Sequence, residues 1–275
     1  MPVFGPTQAL DYELELAFVI GKDSTLGQPI PVDKAGEYIF GFLLFNDWSA
    51  RDIQSWEYVP LGPFLSKNFM SSVSPWIVTT EALAPFQTKG PERDVSHHPY
   101  LQSANNSNYD IELEVVLQPD GGNAETISRT NFKYMYWNVS QQLAHHTING
   151  CNVKVGDLMA SGTISGTTRD RAGCLLELTR NGQEPLTLKN GSKRKFLEDG
   201  DTVIMKGFAS RTGIRVGFGE VEGTIKSNPN RQSSVANPNL QSSAPNRPSV
   251  DAHPPPPPGI VGTIPPAVQL PHGPP

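Results

Sequence analysis

The alternation of apolar and polar residues predicts a chain built mainly of β-strands. Four stretches are predicted as strands: residues 10–21 alternate and then run apolar, residues 39–45 and 76–80 are apolar runs, and residues 110–117 alternate. The last of them alternates strictly, with Ile111, Leu113 and Val115 on one face. A period of two is typical of a strand with one buried face, and the unbroken apolar run at 39–45 is typical of a strand buried on both faces.

Helical periodicity is confined to two stretches. Residues 131–147 are predicted as a helix because apolar residues recur there at helical spacing, at Phe132, Met135, Tyr136, Val139 and Leu143. Residues 33–38 are predicted as a short helix that leads into the apolar run. Asn-Gly pairs at 149–150, 181–182 and 190–191 predict tight turns. The expected fold class is mostly β with a few helices.

Charged and aromatic residues crowd into residues 46–71, directly after the apolar run. The charged and polar members are Asp47, Arg51, Asp52, Gln54, Glu57, Tyr58 and Lys67, and the aromatic ones are Trp48, Trp56 and Phe64. Such a density of chemistry after a buried strand is typical of a functional loop held by a rigid scaffold. The alternative is a turn at Asp47, a surface ion pair between Arg51 and Asp52, and tryptophans in an ordinary core.

Acidic residues alternate at the start of the first strand. Glu13 and Glu15 are predicted to share one face of the strand, together with Asp11. Like charges beside an apolar run are unfavourable unless water or a cation neutralises them. Oxygen ligands alone select a hard cation, calcium or magnesium. The same alternation recurs elsewhere, at Asp110, Glu112 and Glu114, so the pattern alone also fits an exposed edge strand.

Composition and charge narrow the class of protein. The 275 residues, 37% of them hydrophobic, suffice for a sizeable core. The net charge of -5 provides no basic surface for nucleic acid or an anionic membrane. We find no secretory signal and no apolar run of the roughly 20 residues that span a membrane. Cys151 and Cys174 make neither a disulfide framework nor a zinc motif. We therefore expect a cytosolic protein.

A change of composition divides the chain near residue 226. From Lys226 onward Pro, Asn, Ser and Gln dominate, residues 254–258 are all proline, and aromatic residues are absent. Such a segment cannot bury enough apolar surface to offset the entropy of ordering it. We predict a folded domain at residues 1–225 and a disordered tail at residues 226–275.

Several segments resemble a known family. They include Asp11-Tyr-Glu-Leu-Glu-Leu16, Asn46-Asp-Trp-Ser-Ala-Arg-Asp52, Trp56-Glu-Tyr-Val-Pro-Leu-Gly-Pro63 and Phe132-Lys-Tyr-Met-Tyr-Trp137. In this order the chain resembles the fumarylacetoacetase family over about residues 2–225. Shorter decarboxylases and isomerases of the same superfamily share the first two segments but not the last two. The resemblance implies the mixed β-sandwich roll of the C-terminal catalytic domain, a cytosolic homodimer and a small diketo-acid substrate.

The resemblance also implies two metal sites. Glu13, Glu15 and Asp47 match carboxylates that hold a calcium or magnesium ion. Lys67 and Ser71 match a second, structural magnesium site shared with Asp47. An ammonium group cannot bind a cation, so we expect Lys67 to contribute its backbone carbonyl. The family commonly has threonine at the position of Ser71, which keeps the hydroxyl.

The implied reaction is metal-dependent hydrolysis of a carbon–carbon bond, which converts 4-fumarylacetoacetate into fumarate and acetoacetate. Gln54, Tyr58 and Thr163 match residues that contact the substrate. Glu177 matches the carboxylate that orients the catalytic histidine. We expect Glu177 on an apolar strand, where an isolated acid requires a partner.

The family's general-base histidine lies upstream of the acid pair, within a segment that also carries a fourth metal carboxylate. Because the sequence begins about a dozen residues before Glu13, we expect the chain to lack that segment. We interpret His145 and His146 as packing and capping residues of the predicted helix. Three hypotheses stay open: a fumarylacetoacetase-type hydrolase, a truncated remnant that binds metal or dimerises, and a related diketo-acid hydrolase or decarboxylase. For the isolated chain we expect marginal stability.

Overall fold

Antiparallel strands dominate the computed structural model, which describes residues 5–103 and 106–227. The strands are β1 Leu10–Asp11, β2 Leu14–Ile20, β3 Ile39–Asp47, β4 Ser49–Ala50, β5 Ser71–Val73, β6 Val78–Thr79, β7 Gln87–Lys89, β8 Ser107–Tyr109, β9 Glu112–Gln118, β10 Glu125–Asn131, β11 Leu158–Ala160, β12 Leu186–Thr187, β13 Lys193–Arg194, β14 Thr202–Arg211 and β15 Ile214–Thr224. The predicted class, mostly β with a few helices, is confirmed.

Helices are few and short. The α-helices are α1 Arg51–Glu57, α2 Thr80–Leu83, α3 Val139–Thr147 and α4 Leu175–Leu178. Five 3-10 helices lie at Val32–Tyr38, Ala84–Phe86, Pro99–Leu101, Phe132–Tyr134 and Arg169–Arg171. The first of these confirms the short helix predicted before the apolar run. Within the described part of the chain, no helix is long and apolar enough to cross a membrane.

Two larger sheets carry the fold. One has the strand order β11-β2-β3-β5, and β6 also pairs with β3. The other has the order β10-β9-β14-β15. Three two-stranded sheets, β1-β4, β7-β8 and β12-β13, complete the pairing among the described residues.

The central strand β2 is buried along its whole length, which explains why its sequence stops alternating. Leu16 and Phe18 point into the main core, whereas Ala17 and Val19 point to the opposite face and pack with Leu43. Because side chains alternate along a strand, Glu15 shares the face of Ala17. The acid at this position therefore points away from the main core.

The main core contains side chains from both larger sheets. Leu44 of β3 and Leu113 of β9 are both buried in it. At Gly207 of β14 an added Cβ would lie 2.9 Å from Leu44 Cδ2 and 3.1 Å from Leu113 Cδ2. The absence of a side chain at Gly207 therefore leaves room for the close packing of these leucines.

The long helix predicted for residues 131–147 is wrong in its first half. Asn131 ends strand β10, and its side chain accepts a hydrogen bond from the Lys133 N–H, which starts a 3-10 turn. The helix α3 begins only after Asn138, which forms a capping box with Gln141. A capping box satisfies backbone N–H groups that a helix start leaves without partners. Of the periodic apolar residues before Asn138, Phe132 lies in the 3-10 turn and Met135 and Tyr136 lie in the loop after it.

The predictions of a strand at residues 76–80, of Asn-Gly turns and of a disordered tail have different outcomes. The strand predicted at residues 76–80 is reduced to Val78–Thr79, because the Thr79 side chain caps the helix that starts at Thr80. The Asn-Gly turns are confirmed, since Gly150, Gly182 and Gly191 all have positive φ. The predicted disordered tail falls almost entirely on residues 228–275, which lie outside the described residues, so it stays a prediction.

Candidate active site

Three carboxylates come together where β2 begins and β3 ends. Antiparallel pairing sets Leu14 opposite Asn46, and the Asp47 N–H donates to the Glu13 carbonyl at 3.2 Å. One carboxylate oxygen from each of Glu13, Glu15 and Asp47 lies within 4.8 Å of the other two. We call these three residues the carboxylate cluster. The structure thus brings together the three acids that sequence analysis assigned to a metal ion.

Two cationic side chains contact the carboxylate cluster. Lys67 Nζ lies 2.7 Å from Glu13 Oε2 and 3.1 Å from Asp47 Oδ2. Arg51 Nη1 donates to the other Glu13 oxygen at 2.6 Å. Glu15 accepts a hydrogen bond from the Gly162 N–H at 2.8 Å, and no ion pair involves it within the described residues. Positive charge is therefore concentrated on Glu13 and Asp47.

This asymmetry moves the pKa values of the two glutamates apart. Burial, together with the negative charge of Glu13, raises the pKa of Glu15 to about 8 despite the hydrogen bond from Gly162. Burial also disfavours the ionised form of Glu13, but the hydrogen bond from Lys67 and the charge of Arg51 outweigh it and lower the pKa of Glu13. Burial raises the pKa of Asp47, against the opposing effect of Lys67. Glu15 is therefore the member of the cluster that retains a proton at neutral pH.

The carboxylate cluster fits a hard divalent cation. It supplies only oxygen ligands, which calcium and magnesium prefer. The Lys67 ammonium, in contact with two of the carboxylates, shows that the cluster accommodates positive charge. Glu15 is only 2% exposed, so its ionised form needs a cation close by. Glu13, Glu15 and Asp47 are thus the residues that would hold the ion.

The other acids of the two alternating stretches lie apart from the carboxylate cluster. Asp11, expected on the face of Glu13 and Glu15, belongs to the separate strand β1 and binds Arg51. The chain leaves the strand conformation between Asp11 and Leu14, so the alternation does not carry through. In the second stretch, Asp110 pairs with Lys133 and Glu114 pairs with Arg129.

A cavity of about 450 Å³ is lined in part by Arg51, the residue that contacts Glu13 of the carboxylate cluster, although none of the three cluster residues lines it. Two predicted substrate residues, Gln54 and Tyr58, line it together with Arg51. Arg51 joins the cavity to the cluster, because Nη1 donates both to Gln54 Oε1 at 3.0 Å and to Glu13. The third predicted substrate residue, Thr163, is not among the residues that line this cavity. It follows Gly162, the residue that donates to Glu15.

The prediction that Glu177 lies on an apolar strand is wrong. Glu177 belongs to the short helix α4, whose Leu175 and Leu178 are buried while Glu177 itself is exposed. A run of four or five largely apolar residues fits a buried strand and a buried helical turn equally well. The partners of the carboxylate are Ser165, whose hydroxyl donates to Oε2, and the Cys174 thiol at 3.4 Å.

No histidine within residues 5–103 and 106–227 hydrogen-bonds to Glu177. His97 contacts Arg93 and Tyr136, and His145 contacts Tyr100. His146 lies near Cys151. His253 and His272 lie outside the described residues. His145 and His146 are exposed in the last turn of α3, and their interpretation as packing and capping residues stays a prediction.

Comparison with known proteins gives a consistent result over residues 1–226. The family model described as fumarylacetoacetate (FAA) hydrolase C-terminal matches residues 1–226. The chain belongs to the fumarylacetoacetate hydrolase family. It is 55% identical to fumarylacetoacetase of Arabidopsis thaliana over 229 residues, 83% of this chain and 54% of that protein. It is 52% identical to fumarylacetoacetase of Homo sapiens over 225 residues, 82% of this chain and 54% of that protein.

The chain therefore spans about half the length of the curated relatives it matches. Among solved structures, the fold resembles a fumarylacetoacetate hydrolase from Exiguobacterium antarcticum, with a TM-score of 0.50 and 24% identity. That match covers 81% of this chain and 58% of the other. This similarity supports the fumarylacetoacetate hydrolase fold for the part of the chain that the structure describes.

Within this fumarylacetoacetate hydrolase fold, the residues predicted for a second metal site also lie beside Asp47. Ser71 pairs directly with Asp47 where β5 runs along β3. Lys67 points its ammonium at Asp47 and Glu13 rather than at solvent. The expected role of the Lys67 carbonyl and of the Ser71 hydroxyl as magnesium ligands stays a prediction.

Sequence analysis missed the roles of Arg51 and Glu57 in this family member. The alternative of a surface pair between Arg51 and Asp52 is wrong, because Arg51 is 8% exposed and binds Asp11 and Glu13. Glu57 accepts the N–H groups of residues 64–66 and the Ser66 hydroxyl, and these hydrogen bonds, led by that of Ser66, lower the pKa of Glu57 to about 2. Glu57 thereby fixes the loop that presents Lys67. The Pro-Leu-Gly-Pro bend at residues 60–63 was the sequence feature that could have indicated this role of Glu57, because a bend there turns the chain back toward Glu57.

Proposed function

We propose that the chain forms the cation-binding and substrate-binding part of a fumarylacetoacetase-type hydrolase. The reaction is cleavage of the carbon–carbon bond of 4-fumarylacetoacetate to give fumarate and acetoacetate. The observation that carries the proposal is the carboxylate cluster with Arg51 and Lys67 beside it. Relatives that are more than half identical over the same residues and are named fumarylacetoacetase support it.

The proposed roles follow from charge and position. Glu13, Glu15 and Asp47 hold a calcium or magnesium ion, which when bound would polarise the diketone group of the substrate. Arg51, Gln54 and Tyr58 offer hydrogen-bond donors along the cavity wall. Arg51 and Lys67 are both paired with carboxylates, so the positive charge that complements an anionic diketo acid would come from the bound ion. Thr163 joins the substrate contacts, and Lys67 and Ser71 form the structural magnesium site.

Glu177 is proposed to orient the histidine that takes a proton from the attacking water. Its Oε2 is held by Ser165 and Cys174, and the exposed position of the residue leaves the carboxylate accessible to an imidazole. A general base typically contributes about 10²- to 10⁴-fold to the rate. The base must come from outside the described residues.

The absence of a histidine beside Glu177 in the described residues favours a second candidate. In this second candidate function, the chain binds the cation through the carboxylate cluster and serves as a metal-binding or dimerising module without catalysis.

We further propose a cytosolic homodimer. The support for the dimer is a row of exposed apolar residues in the segment 56–70.

The test is a cleavage assay that follows loss of the diketone absorbance, with calcium or magnesium and with added imidazole. Imidazole can occupy the position beside Glu177 at which the described residues place no histidine. We expect slow cleavage that depends on the metal ion and is accelerated by imidazole. Asp47→Ala should abolish it, and Glu177→Gln should abolish the acceleration by imidazole.

Glu112→Ala is the matched control, because Glu112 is an exposed acid from the other alternating stretch. It should cleave like the wild type. Cation binding without cleavage at any imidazole concentration would reject the hydrolase and favour the module. Cleavage that survives Asp47→Ala would reject the carboxylate cluster as its site.

A further inference from the structure

Asp11 is a fully buried carboxylate that connects two parts of the proposed site. It accepts four hydrogen bonds. Its Oδ1 accepts the N–H groups of Tyr12 and Leu175, each at 2.8 Å. Its Oδ2 accepts the Leu176 N–H and the Arg51 Nε–H, each at 2.9 Å. Within the described residues every hydrogen bond to this carboxylate comes from an N–H group, an arrangement that favours its ionised form. Burial raises the pKa of Asp11 against the opposing effects of Arg51 and of the Leu176 and Leu175 N–H groups.

On one side, Asp11 fixes helix α4. The helix has four residues, Leu175–Leu178, which is far below the length at which a helix is stable by itself. Asp11 satisfies the N–H groups of its first two residues, which lack partners inside the helix. The direction of Glu177, the next residue of the helix, therefore depends on Asp11.

On the other side, Asp11 neutralises Arg51. The guanidinium binds Asp11 through Nε and Glu13 through Nη1, so a single Arg51 charge is shared between two carboxylates. Without the charge of Asp11, Arg51 would pair with Glu13 alone and would compete with a cation for that ligand. With Asp11, the four carboxylates and two cationic side chains leave two negative charges when all are ionised, which matches a divalent ion.

We infer that Asp11 is a positioning residue that keeps Glu13 available to a divalent cation by neutralising Arg51 and that holds Glu177 through α4. This inference rests on the proposed cation site. It assigns to Asp11 no contact with the ion or the substrate, since Asp11 is not part of the carboxylate cluster. Residues that support metal ligands in this way typically change metal affinity by about 10- to 100-fold.

The experiment is calorimetric titration of calcium into the metal-free full-length chain. We expect Asp11→Asn to weaken calcium binding about 10- to 100-fold. The double variant Asp11→Asn with Arg51→Gln should recover most of the lost affinity, because it removes the competing positive charge together with its partner. Amide hydrogen exchange at Leu175 and Leu176 should accelerate in Asp11→Asn.

Asp201→Asn is the matched control. Asp201 is also fully buried and accepts Arg194 Nε at 2.8 Å, Arg194 Nη2 at 2.9 Å and the Glu198 N–H at 2.9 Å. Its substitution should lower the melting temperature much as Asp11→Asn does, because both break a buried ion pair. It should leave calcium affinity within about twofold of the wild type, because the hydrogen-bond partners of the Asp201 carboxylate within the described residues are Arg194 and Glu198, and it shares none with the carboxylate cluster.

Calcium affinity of Asp11→Asn equal to that of the wild type would overturn the inference. A double variant that binds calcium more weakly than Asp11→Asn would also overturn it. If Asp11→Asn does not fold, the double variant decides: affinity near the wild type supports the inference, and a loss of more than about 10-fold overturns it. A wild-type chain that binds neither calcium nor magnesium overturns the proposed cation site and this inference together. Wild-type binding with an unaffected Asp11→Asn overturns the inference alone.

Discussion

Glu13, directly before β2, and Glu15, within β2, show how two identical side chains in one cluster can acquire opposite properties. Glu13 receives Lys67 and Arg51, whereas Glu15 receives one backbone N–H and lies beside two other acids. The pKa of Glu13 is lowered and that of Glu15 is raised to about 8. Because metal ligands must be deprotonated, the ease of binding a cation is governed by Glu15.

This difference predicts a dependence of stability on pH. The pKa of Glu15 is about 8 in the folded chain against an ordinary value of 4.5, so between these pH values the folded state binds more protons than the unfolded state. The free energy of unfolding contributed by Glu15 therefore falls as the pH rises from about 4.5 to about 8, by at most about 1.4 kcal/mol per pH unit. Glu15→Gln should remove this slope.

Urea unfolding of the metal-free chain between pH 5 and 8.5, values chosen around this window, measures the effect. The stability of the wild type relative to Glu15→Gln should decrease steadily with rising pH. Glu112→Gln, at an exposed acid, should run parallel to the wild type. Parallel curves for the wild type and Glu15→Gln would mean that Glu15 is ionised throughout.

At the residue scale, the sequence predicted the identity of the cluster members better than their surroundings. Glu13 and Glu15 flank Leu14, where β2 begins, so a period of two places them correctly. Asp11 precedes an interruption between β1 and β2 that no local signal marks. The burial of Arg51 depends on Asp11 and Glu13, which lie 40 and 38 residues away along the chain. Such long-range contacts are not visible in a local pattern.

At the scale of elements, the strands with the clearest pattern were predicted correctly. The apolar run at residues 39–45 became β3, and strict alternation at residues 110–117 became β9. The elements that were predicted wrongly had an ambiguous period. The apolar residues at 132–136 fit a helix but follow a strand that ends at Asn131, and the run around Glu177 is too short to separate strand from helix.

Because side chains of the two larger sheets pack closely at Gly207, a side chain added at this position should destabilise the fold. A Cβ there would lie 2.9 Å from Leu44 Cδ2 and 3.1 Å from Leu113 Cδ2, so both leucines must move. We expect Gly207→Ala to lower the free energy of unfolding by about 1–3 kcal/mol. Urea unfolding at constant pH measures this change.

Gly217 on the neighbouring strand β15 is the matched control. It also lacks a positive φ, and nothing lies within 4 Å of an added Cβ. Gly217→Ala should leave stability unchanged or raise it by up to about 1 kcal/mol. Equal effects of the two substitutions would show that the packing at Gly207 is looser than these distances indicate.

At the scale of the whole molecule, exposed apolar side chains are concentrated between the site and strand β5. In the segment 56–70, Leu61 is 95% exposed and Phe64 is 65% exposed, and Trp56, Val59 and Leu65 are also exposed. Large exposed apolar areas are typical of interfaces. This segment is therefore the surface through which we expect the proposed dimer to form.

If the segment 56–70 forms the dimer interface, polar substitutions in it should weaken self-association. Leu61→Ser combined with Phe64→Ser should weaken self-association at least about tenfold, because large apolar anchors dominate interface energies. Sedimentation equilibrium over a range of concentrations measures it. Val95→Ser combined with Val155→Ser removes similarly exposed apolar groups outside this segment and should leave association unchanged. If the two double variants behave alike, the segment 56–70 is not the interface.

The central claim is that Glu13, Glu15 and Asp47 bind one divalent cation, and calorimetric titration of the metal-free chain with calcium tests it most directly. We expect one calcium ion to bind at the carboxylate cluster of each chain, in addition to any magnesium at the site proposed for Lys67 and Ser71. Asp47→Ala should lose affinity by more than the roughly 10- to 100-fold typical of a supporting residue, whereas Glu112→Ala should bind like the wild type. Equal calcium affinity of Asp47→Ala and the wild type, or no binding by either, would contradict the account.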